Sequence, residues 1–228
     1  MRRFLTLACC ILCLTNYAQT KKGTKLVGAG IGLASFSHEK IDGRTNVYIQ
    51  EGEKRTLNIS INPSMLWFMA DNFALGGLIN AGLVTENNEP SDSYLTTFSD
   101  KHLSVSLGPV ARYYFGGSNK GKPFTEALFQ INIFDKSTLN YSSETNGIYN
   151  EITEKIKNSW TSGIAVGYEH FLNNTIGVFA TIGFTYSKYN FVLHQTSLNN
   201  PSYSGNRKQS VISLPINVGA AIHFNNSK

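Results

Sequence analysis

Four ionisable residues could form a charge network inside this protein. Arg112, Glu126, Glu169 and His223 occupy polar positions in segments of alternating polarity, and each lies near one end of its segment. A buried arginine requires a carboxylate partner and further hydrogen bonds. We therefore expect the four side chains to form ion pairs that fill a narrow interior. The alternative is a gate or a proton-linked site built from the same residues.

An enzymatic arrangement is harder to build from this sequence. His102 and Ser104 share one face of a segment, and Asp100 precedes them. A serine nucleophile requires a base within hydrogen-bond reach and a third group that orients the base. Residues two apart on one face of a strand are separated by roughly 7 Å, which is too far for direct contact. We expect no catalysis, no metal site and no cofactor.

Basic residues form a second candidate site at the opposite ends of the same segments, beside long polar connections. Lysine and arginine bind phosphate strongly in an interfacial setting. We expect these residues to form a rim that contacts lipopolysaccharide phosphates, the alternative being ordinary solvated strand ends. The rim residues are Lys54, Arg55, Lys101, Lys157, Lys188 and Lys208.

The stretch LSVSLGPVARYYFGG at 103–117 shows the pattern that positions these residues. Leu103, Val105 and Leu107 fall on one parity, whereas Ser104 and Ser106 fall on the other. A period of two indicates a β-strand with two unlike faces. The same pattern predicts eight long strands, at residues 24–36, 54–69, 73–85, 101–115, 124–134, 156–171, 176–189 and 208–224.

The connections between these strands alternate in length, which predicts four hairpins in series. The short connections are 70–72, 116–123 and 172–175, and the long ones are 37–53, 86–100, 135–155 and 190–207. The strands exceed the five or six residues usual in soluble sheets and reach the roughly 9–11 residues that cross a bilayer. The sequence therefore predicts an all-β fold, an eight-stranded antiparallel up-and-down transmembrane β-barrel whose closure leaves no open edge.

The two strand faces predict which side meets lipid. One face carries Leu, Ile and Val, and the other carries Gly, Ser, Thr and Asn with almost no lysine. Small polar side chains suit a narrow interior better than a water-facing exterior. Aromatic residues gather at both strand ends, as interfacial girdles do. At the short-connection end they are Trp67, Phe68, Phe73, Tyr113, Tyr114, Phe115, Phe124, Tyr168, Phe171 and Phe224.

The first 18 residues have the features of a cleaved export signal. Arg2 and Arg3 precede an apolar run at 4–14, and Ala18 offers a small residue for cleavage. This predicts a signal peptide at 1–18 and one barrel domain at 19–228. All three cysteines lie in the signal, so no disulfide is expected. Without the two arginines, 18 basic and 15 acidic residues leave a net charge of +3, which does not predict nucleic-acid binding.

Four motifs carry a resemblance to a known family. They are MLWFMADNFALG at 65–76, VSLGPVARYYF at 105–115, PFTEALF at 123–129 and NVGAAIHF at 217–224. These motifs resemble the small outer-membrane β-barrel proteins of the OmpX/OmpA-like type, often described as porin-family proteins. The resemblance implies a place in the outer membrane of a Gram-negative envelope. It also implies recognition of the last strand, ending at Phe224, by the barrel-assembly machinery.

The motifs that carry this resemblance are architectural and specify no activity. We expect a monomeric outer-membrane barrel with a structural or surface-interaction role carried by its long loops, and a lumen filled by polar side chains. One alternative is a porin that lets small solutes pass. Another is a soluble periplasmic ligand binder of the lipocalin type.

Overall fold

The computed structural model describes residues 20–42, 52–90, 98–116, 118, 120–141, 150–156, 158–197 and 203–224, some of them by backbone alone. All regular elements in these ranges are strands. They are β1 Lys25–Asp42, β2 Gly52–Ala70, β3 Phe73–Pro90, β4 Phe98–Tyr114, β5 Gly121–Tyr141, β6 Asn150–Ile156, β7 Trp160–Phe171, β8 Ile176–Ser197 and β9 Tyr203–Phe224. No helix within the described ranges has the length and apolar character needed to cross a membrane.

The strands close into one antiparallel barrel. Apart from β6 and β7, consecutive strands pair with each other, and β1 also pairs with β9, which leaves no open edge. β6 and β7 together occupy one place in the wall, because both lie between β5 and β8. The chain between them turns at Asn158, whose φ of 57° is left-handed. The predicted eight-stranded barrel is confirmed, with its sixth strand in two pieces.

The strands are longer than the sequence pattern predicted, although the short connections are as expected. β8 and β9 each contain 22 residues. The hairpin ladders continue past the alternating region, so that Gly52 pairs with Pro90 and Asp42 pairs with Lys208. Much of what was expected to be long loop is therefore barrel wall. We call the end with short connections the turn end, and the other the loop end.

The exterior of the barrel is apolar. The side chains of Ile61, Leu107 and Ile216 are 56, 41 and 37% exposed, although each of the three residues lies in a strand that has a neighbouring strand on both sides. Their polar neighbours along the strands, such as Asn62 and Asn217, point to the lumen. The predicted assignment of the two faces is confirmed. A soluble binder would place the three aliphatic side chains inside, so this alternative is wrong.

Three prolines lie inside strands, where each removes a ladder donor. Each proline is paired with the strand on one side and is skipped by the ladder with the strand on the other side. The paired strands are β1 for Pro63, β3 for Pro109 and β1 for Pro215. On the other side the ladder skips two residues and resumes in the same register, as from Ile61↔Ala81 to Ser64↔Leu78. The prolines therefore interrupt these ladders without shifting them, although the β1–β9 ladder has a register shift between Gly32 and Ala34, close to the pairing of Ser35 with Pro215.

The turn-end aromatics divide between the two faces, which corrects the predicted girdle. Trp67, Tyr113, Phe115, Tyr168 and Phe224 are exposed and form an outer belt. Phe68, Tyr114 and Phe124 are buried inside the barrel, where they join aliphatic residues in one cluster. This interior cluster, the turn-end core, consists of Leu26, Leu66, Phe68, Ala74, Val110, Tyr114, Phe124, Phe179 and Ala221. Parity explains the division, since Phe68, Tyr114 and Phe124 share the faces of inward-pointing neighbours.

Residues 20–24 fold back against the turn end of the barrel. The amide of Gly23 donates to the carbonyl of Phe68 at 2.8 Å, and the amide of Asn72 donates to the carbonyl of Thr20 at 2.7 Å. Lys122 Nζ donates to Thr20 Oγ1 at 2.7 Å and to Asn72 Oδ1 at 2.9 Å. Thr20 is buried by these contacts. The segment thus ties β2, β3 and β5 together below the turn-end core.

Two adjacent glycines in β3 provide a test of how tightly the wall is packed. A Cβ on Gly76 would lie 1.9 Å from the carbonyl oxygen of Met65 and 2.6 Å from Leu66 Cα, whereas a Cβ on Gly77 would meet nothing within 4 Å. We expect Gly76→Ala to lower the free energy of unfolding by about 1–3 kcal/mol, because backbone atoms must move. Urea unfolding in detergent micelles, followed by tryptophan fluorescence, measures the change. Gly77→Ala is the matched control, and equal unfolding midpoints for the two variants would contradict the packing described.

Candidate functional site

The lumen contains a charge network at the turn end. Arg112 and Glu126 face each other across the β4–β5 ladder. The guanidinium donates from Nε to Glu126 Oε2 at 2.9 Å, and its Nη2 lies 2.8 Å from the same oxygen. Arg112 Nη1 lies 3.8 Å from Glu169 Oε2, which brings a second carboxylate to the same cation. One arginine therefore connects two acidic side chains on different strands.

Glu169 is the centre of this network. It accepts a hydrogen bond from the Tyr114 hydroxyl at 2.5 Å, and its other oxygen lies 2.7 Å from His223 Nε2. Arg112 Nη1 in turn donates to the Tyr114 hydroxyl at 3.2 Å. A Cβ on Gly177 would lie 2.1 Å from Glu169 Oε1, so only a glycine there leaves room for the carboxylate. The structure brings all four residues of the expected network together.

Tyr114 is the member that the sequence reasoning assigned elsewhere. We placed it in the outer aromatic girdle, but its hydroxyl bridges Arg112 and Glu169 inside the barrel. Its parity with Arg112, two residues earlier on the same strand, was the signal that could have placed it. The network therefore has five members, Arg112, Tyr114, Glu126, Glu169 and His223.

The charge network is enclosed by aromatic rings. The Arg112 guanidinium carbon lies 4.3 Å from the ring centroid of Phe124 and 5.2 Å from that of Phe179. Phe68 packs against Tyr114 at 5.8 Å and against His223 at 6.3 Å between ring centroids. The Glu169 and His223 side chains are completely buried. Charges without access to water depend on one another for compensation, so the network and the turn-end core form one block of packed side chains.

A polar cavity of about 230 Å³ lies above this block, between it and the loop end. Its floor is formed by Val110, Arg112, Glu126, Leu128 and Phe179, and its walls carry hydroxyl and amide side chains. We call it the upper cavity. The lumen thus has two levels. The upper level is lined by polar side chains but is not filled by them, because it contains the cavity. The turn end is filled, but there aromatic and aliphatic side chains surround the charges.

A chain of side-chain amides crosses one wall of the upper cavity. Asn80 Nδ2 donates to Asn62 Oδ1 at 2.7 Å, Asn62 Nδ2 donates to Asn217 Oδ1 at 3.1 Å, and Asn217 Nδ2 donates to Thr181 Oγ1 at 3.3 Å. We call these four residues the amide belt. The belt passes from β2 to β9 over β1, where Gly32 has no side chain. A Cβ there would lie 2.9 Å from Asn217 Oδ1.

The basic rim can be located only in part. Lys188 pairs with Ser210, and Lys208 pairs with Asn190, so the two lysines are near neighbours on β8 and β9. They follow directly after the exposed apolar positions that end at Phe184 and Ile212. The side chains of Lys54, Arg55, Lys101 and Lys157 lie outside the described residues. Contact with lipopolysaccharide remains a prediction.

The residues weighed and rejected as a catalytic arrangement, Asp100, His102 and Ser104, are likewise located only in part. Ser104 lines the upper cavity, while the side chains of Asp100 and His102 lie outside the described residues. Within the part of the chain that the structure describes, no group of three His, Cys, Asp or Glu residues is placed to hold a metal ion.

The fold matches that of solved outer-membrane proteins. OprG from Pseudomonas aeruginosa aligns with a TM-score of 0.50 at 15% identity, covering 92% of this chain and 100% of OprG. The outer membrane protein AlkL aligns with a TM-score of 0.46 at 14% identity, covering 94 and 96%. The N-terminal β-barrel domain of P. aeruginosa OprF aligns with a TM-score of 0.40 at 11% identity, covering 89 and 98%. No protein-family model and no curated protein matches the chain. At 15% identity the likeness to OprG concerns the fold alone.

Proposed function

We propose that the protein is an exported outer-membrane β-barrel that acts through its wall and its loop end and has no catalytic activity. Its role is structural or one of surface interaction. The single observation that carries the proposal is the block of packed side chains at the turn end. Phe68, Tyr114, Phe124 and Glu169 are all buried there, with Thr20 beneath them. A lumen filled in this way favours a stable wall over a continuous water path.

The exterior supports the membrane location. Exposed aliphatic side chains continue along β2, β4, β8 and β9, and the aromatic belt follows at the turn end. Such a band is costly in water and stabilising in hydrocarbon. The exposed ring of Phe224 ends β9 and is consistent with recognition by the barrel-assembly machinery. Lys188 and Lys208 follow the apolar band toward the loop end, which supports a contact with outer-leaflet phosphates.

A second candidate function is passive passage of small solutes, and the upper cavity favours it. Hydroxyl and amide side chains line the cavity over several strands. A solute entering from the loop end would still meet Arg112, Leu128 and Phe179 at the cavity floor. Passage therefore requires the turn-end block to move, whereas the structural role does not.

Ion conductance in planar bilayers distinguishes the two functions. We expect refolded wild-type protein to give no sustained channel current. Opening the block with the double variant Phe68→Ala/Phe124→Ala should raise the conductance at least severalfold, because both rings fill the lumen. The matched control is Trp67→Ala/Phe115→Ala, which removes two rings of the outer belt and should leave the current unchanged. A sustained wild-type current as large as that of the double variant would overturn the proposal in favour of a porin.

A further inference from the structure

The geometry points to a ligand site in the lumen: the upper cavity binds a neutral, hydroxyl-rich solute of the size of one sugar ring. The cavity volume of about 230 Å³ equals that of about eight liquid waters, at roughly 30 Å³ each. That space is far larger than an ordered bridging water needs. It accommodates a single hexose.

The walls present both donors and acceptors of hydrogen bonds. Hydroxyl and amide side chains reach the cavity from β2, β3, β4, β5, β7, β8 and β9, among them Ser106, Thr185 and Ser213. A sugar hydroxyl donates one hydrogen bond and accepts others, so it is matched by serine and asparagine side chains, which do the same. A few convergent polar groups around a concave space are what orients a small ligand.

Some buried polar atoms at this cavity have no hydrogen-bond partner within the part of the chain that the structure describes. Gln130 Nε2 and Ser159 Oγ make no hydrogen bond, and each residue is only 4% exposed. Both residues line the upper cavity. Leaving a buried amide donor unpaired costs about 1–3 kcal/mol. A ligand hydroxyl that accepts from Gln130 Nε2, beside another that bonds to Ser159, would satisfy both atoms.

The wall facing Gln130 is held in position before any ligand arrives. β5 carries Gln130 and lies four strands from β1 in either direction around the barrel, so the amide belt lies across the lumen from it. The belt hydrogen bonds from Asn80 to Asn62 and from Asn62 to Asn217 fix the side-chain amides. Fixed polar groups lower the entropy lost when a ligand binds.

The charges around the cavity argue for a neutral ligand. Arg112 and Glu126 are the charged residues among those that line it, and they are paired with each other at 2.8 Å. A charged ligand would be confined in a space that offers no unpaired opposite charge to compensate it, which is unfavourable. Phe179 and Tyr189 also line the cavity and offer aromatic surface to the C–H face of a sugar ring.

Glutamine side-chain signals can test this inference directly. The refolded full-length mature protein, labelled with ¹⁵N-glutamine in detergent micelles, is titrated with glucose, and the Gln130 amide signal is identified by its loss in Gln130→Met. We expect a saturable shift of that signal with a millimolar dissociation constant. Glucose 6-phosphate, which is charged, should bind at least tenfold more weakly.

A matched pair of variants shows where the sugar binds. Ser106→Phe places a ring in the cavity and should abolish the shift, whereas Leu107→Phe places the same ring on the lipid-facing side and should preserve it. Ser104→Phe replaces Ser106→Phe if the latter does not fold. The inference is overturned if Gln130 does not respond to glucose, in which case water alone occupies the site, or if Ser106→Phe and Leu107→Phe respond equally. Conductance, which tests the closed lumen, is a separate measurement, so the two proposals can fail independently.

Discussion

Arg112→Met is expected to lower the free energy of unfolding by about 3–5 kcal/mol, the largest loss for any single substitution considered. The change removes the cation that lies 2.8 Å from Glu126 and 3.8 Å from Glu169 while leaving both carboxylates in place. Removing only the cation from a buried charge network costs far more stability than removing all of its charges, because the carboxylates are left buried without compensation. Equilibrium unfolding by urea in detergent micelles measures the difference.

Two control proteins separate this effect from a general loss of positive charge or of packing. Lys25→Met removes an exposed ammonium that lies 5.9 Å from the Trp67 ring centroid, and it should change stability by less than about 0.5 kcal/mol. The triple variant Arg112→Met/Glu126→Gln/Glu169→Gln neutralises both carboxylates and should recover at least half of the loss. If Arg112→Met unfolds with the wild-type midpoint, the network does not stabilise the barrel.

Ile61→Lys is expected to cost about 2–4 kcal/mol in lipid vesicles. Ile61 is exposed on the outer face of β2, paired with Ile31 on one side and Ala81 on the other, in the middle of the apolar band. A lysine at the bilayer midplane loses its contact with water, which destabilises the folded barrel. Near the interface this loss of stability falls to about 0–1 kcal/mol. Urea unfolding of protein refolded into phosphatidylcholine vesicles tests the expectation.

Met69→Lys is the depth control for this prediction. Met69 is exposed to a similar extent on the same face of β2, eight residues nearer the turn end. Its lysine can reach headgroups, so the variant should unfold close to the wild-type midpoint. Equal losses from the two lysines would mean that the apolar band does not sit across a bilayer, and the membrane location would have to be abandoned.

Parity along the strands was enough to predict the barrel, which strand face points outward, and which charged residues meet in the lumen. Arg112, Glu126, Glu169 and His223 meet because each holds the inward position at one depth, and depth follows from counting residues to the short connections. The same rule would have placed Phe68, Tyr114 and Phe124 inside. Proximity to the strand ends, where interfacial aromatics are common, outweighed parity in that assignment, and the structure follows parity.

Other features depend on contacts that no local pattern carries. The amide belt exists because Gly32 leaves a gap between β2 and β9, strands that are distant in sequence and joined only through β1. The partnerless atoms of Gln130 and Ser159 come from different segments brought together by closure. The extra length of β8 and β9 arises where polar residues continue a hairpin ladder, since backbone hydrogen bonds do not require alternating side chains.

The 22-residue strands carry a mechanical consequence. At about 3.3 Å per residue and a tilt near 40°, β9 rises about 55 Å, whereas its apolar stretch from Phe224 to Ile212 accounts for about 30 Å. The remaining portion of β9, from Tyr203 to Val211, continues as hydrogen-bonded strand for about 25 Å beyond the apolar stretch, toward the loop end. A partner that binds at the loop end would contact strands whose backbone is already ordered by hydrogen bonds. Binding would therefore not incur the loss of conformational entropy that ordering a flexible hairpin requires.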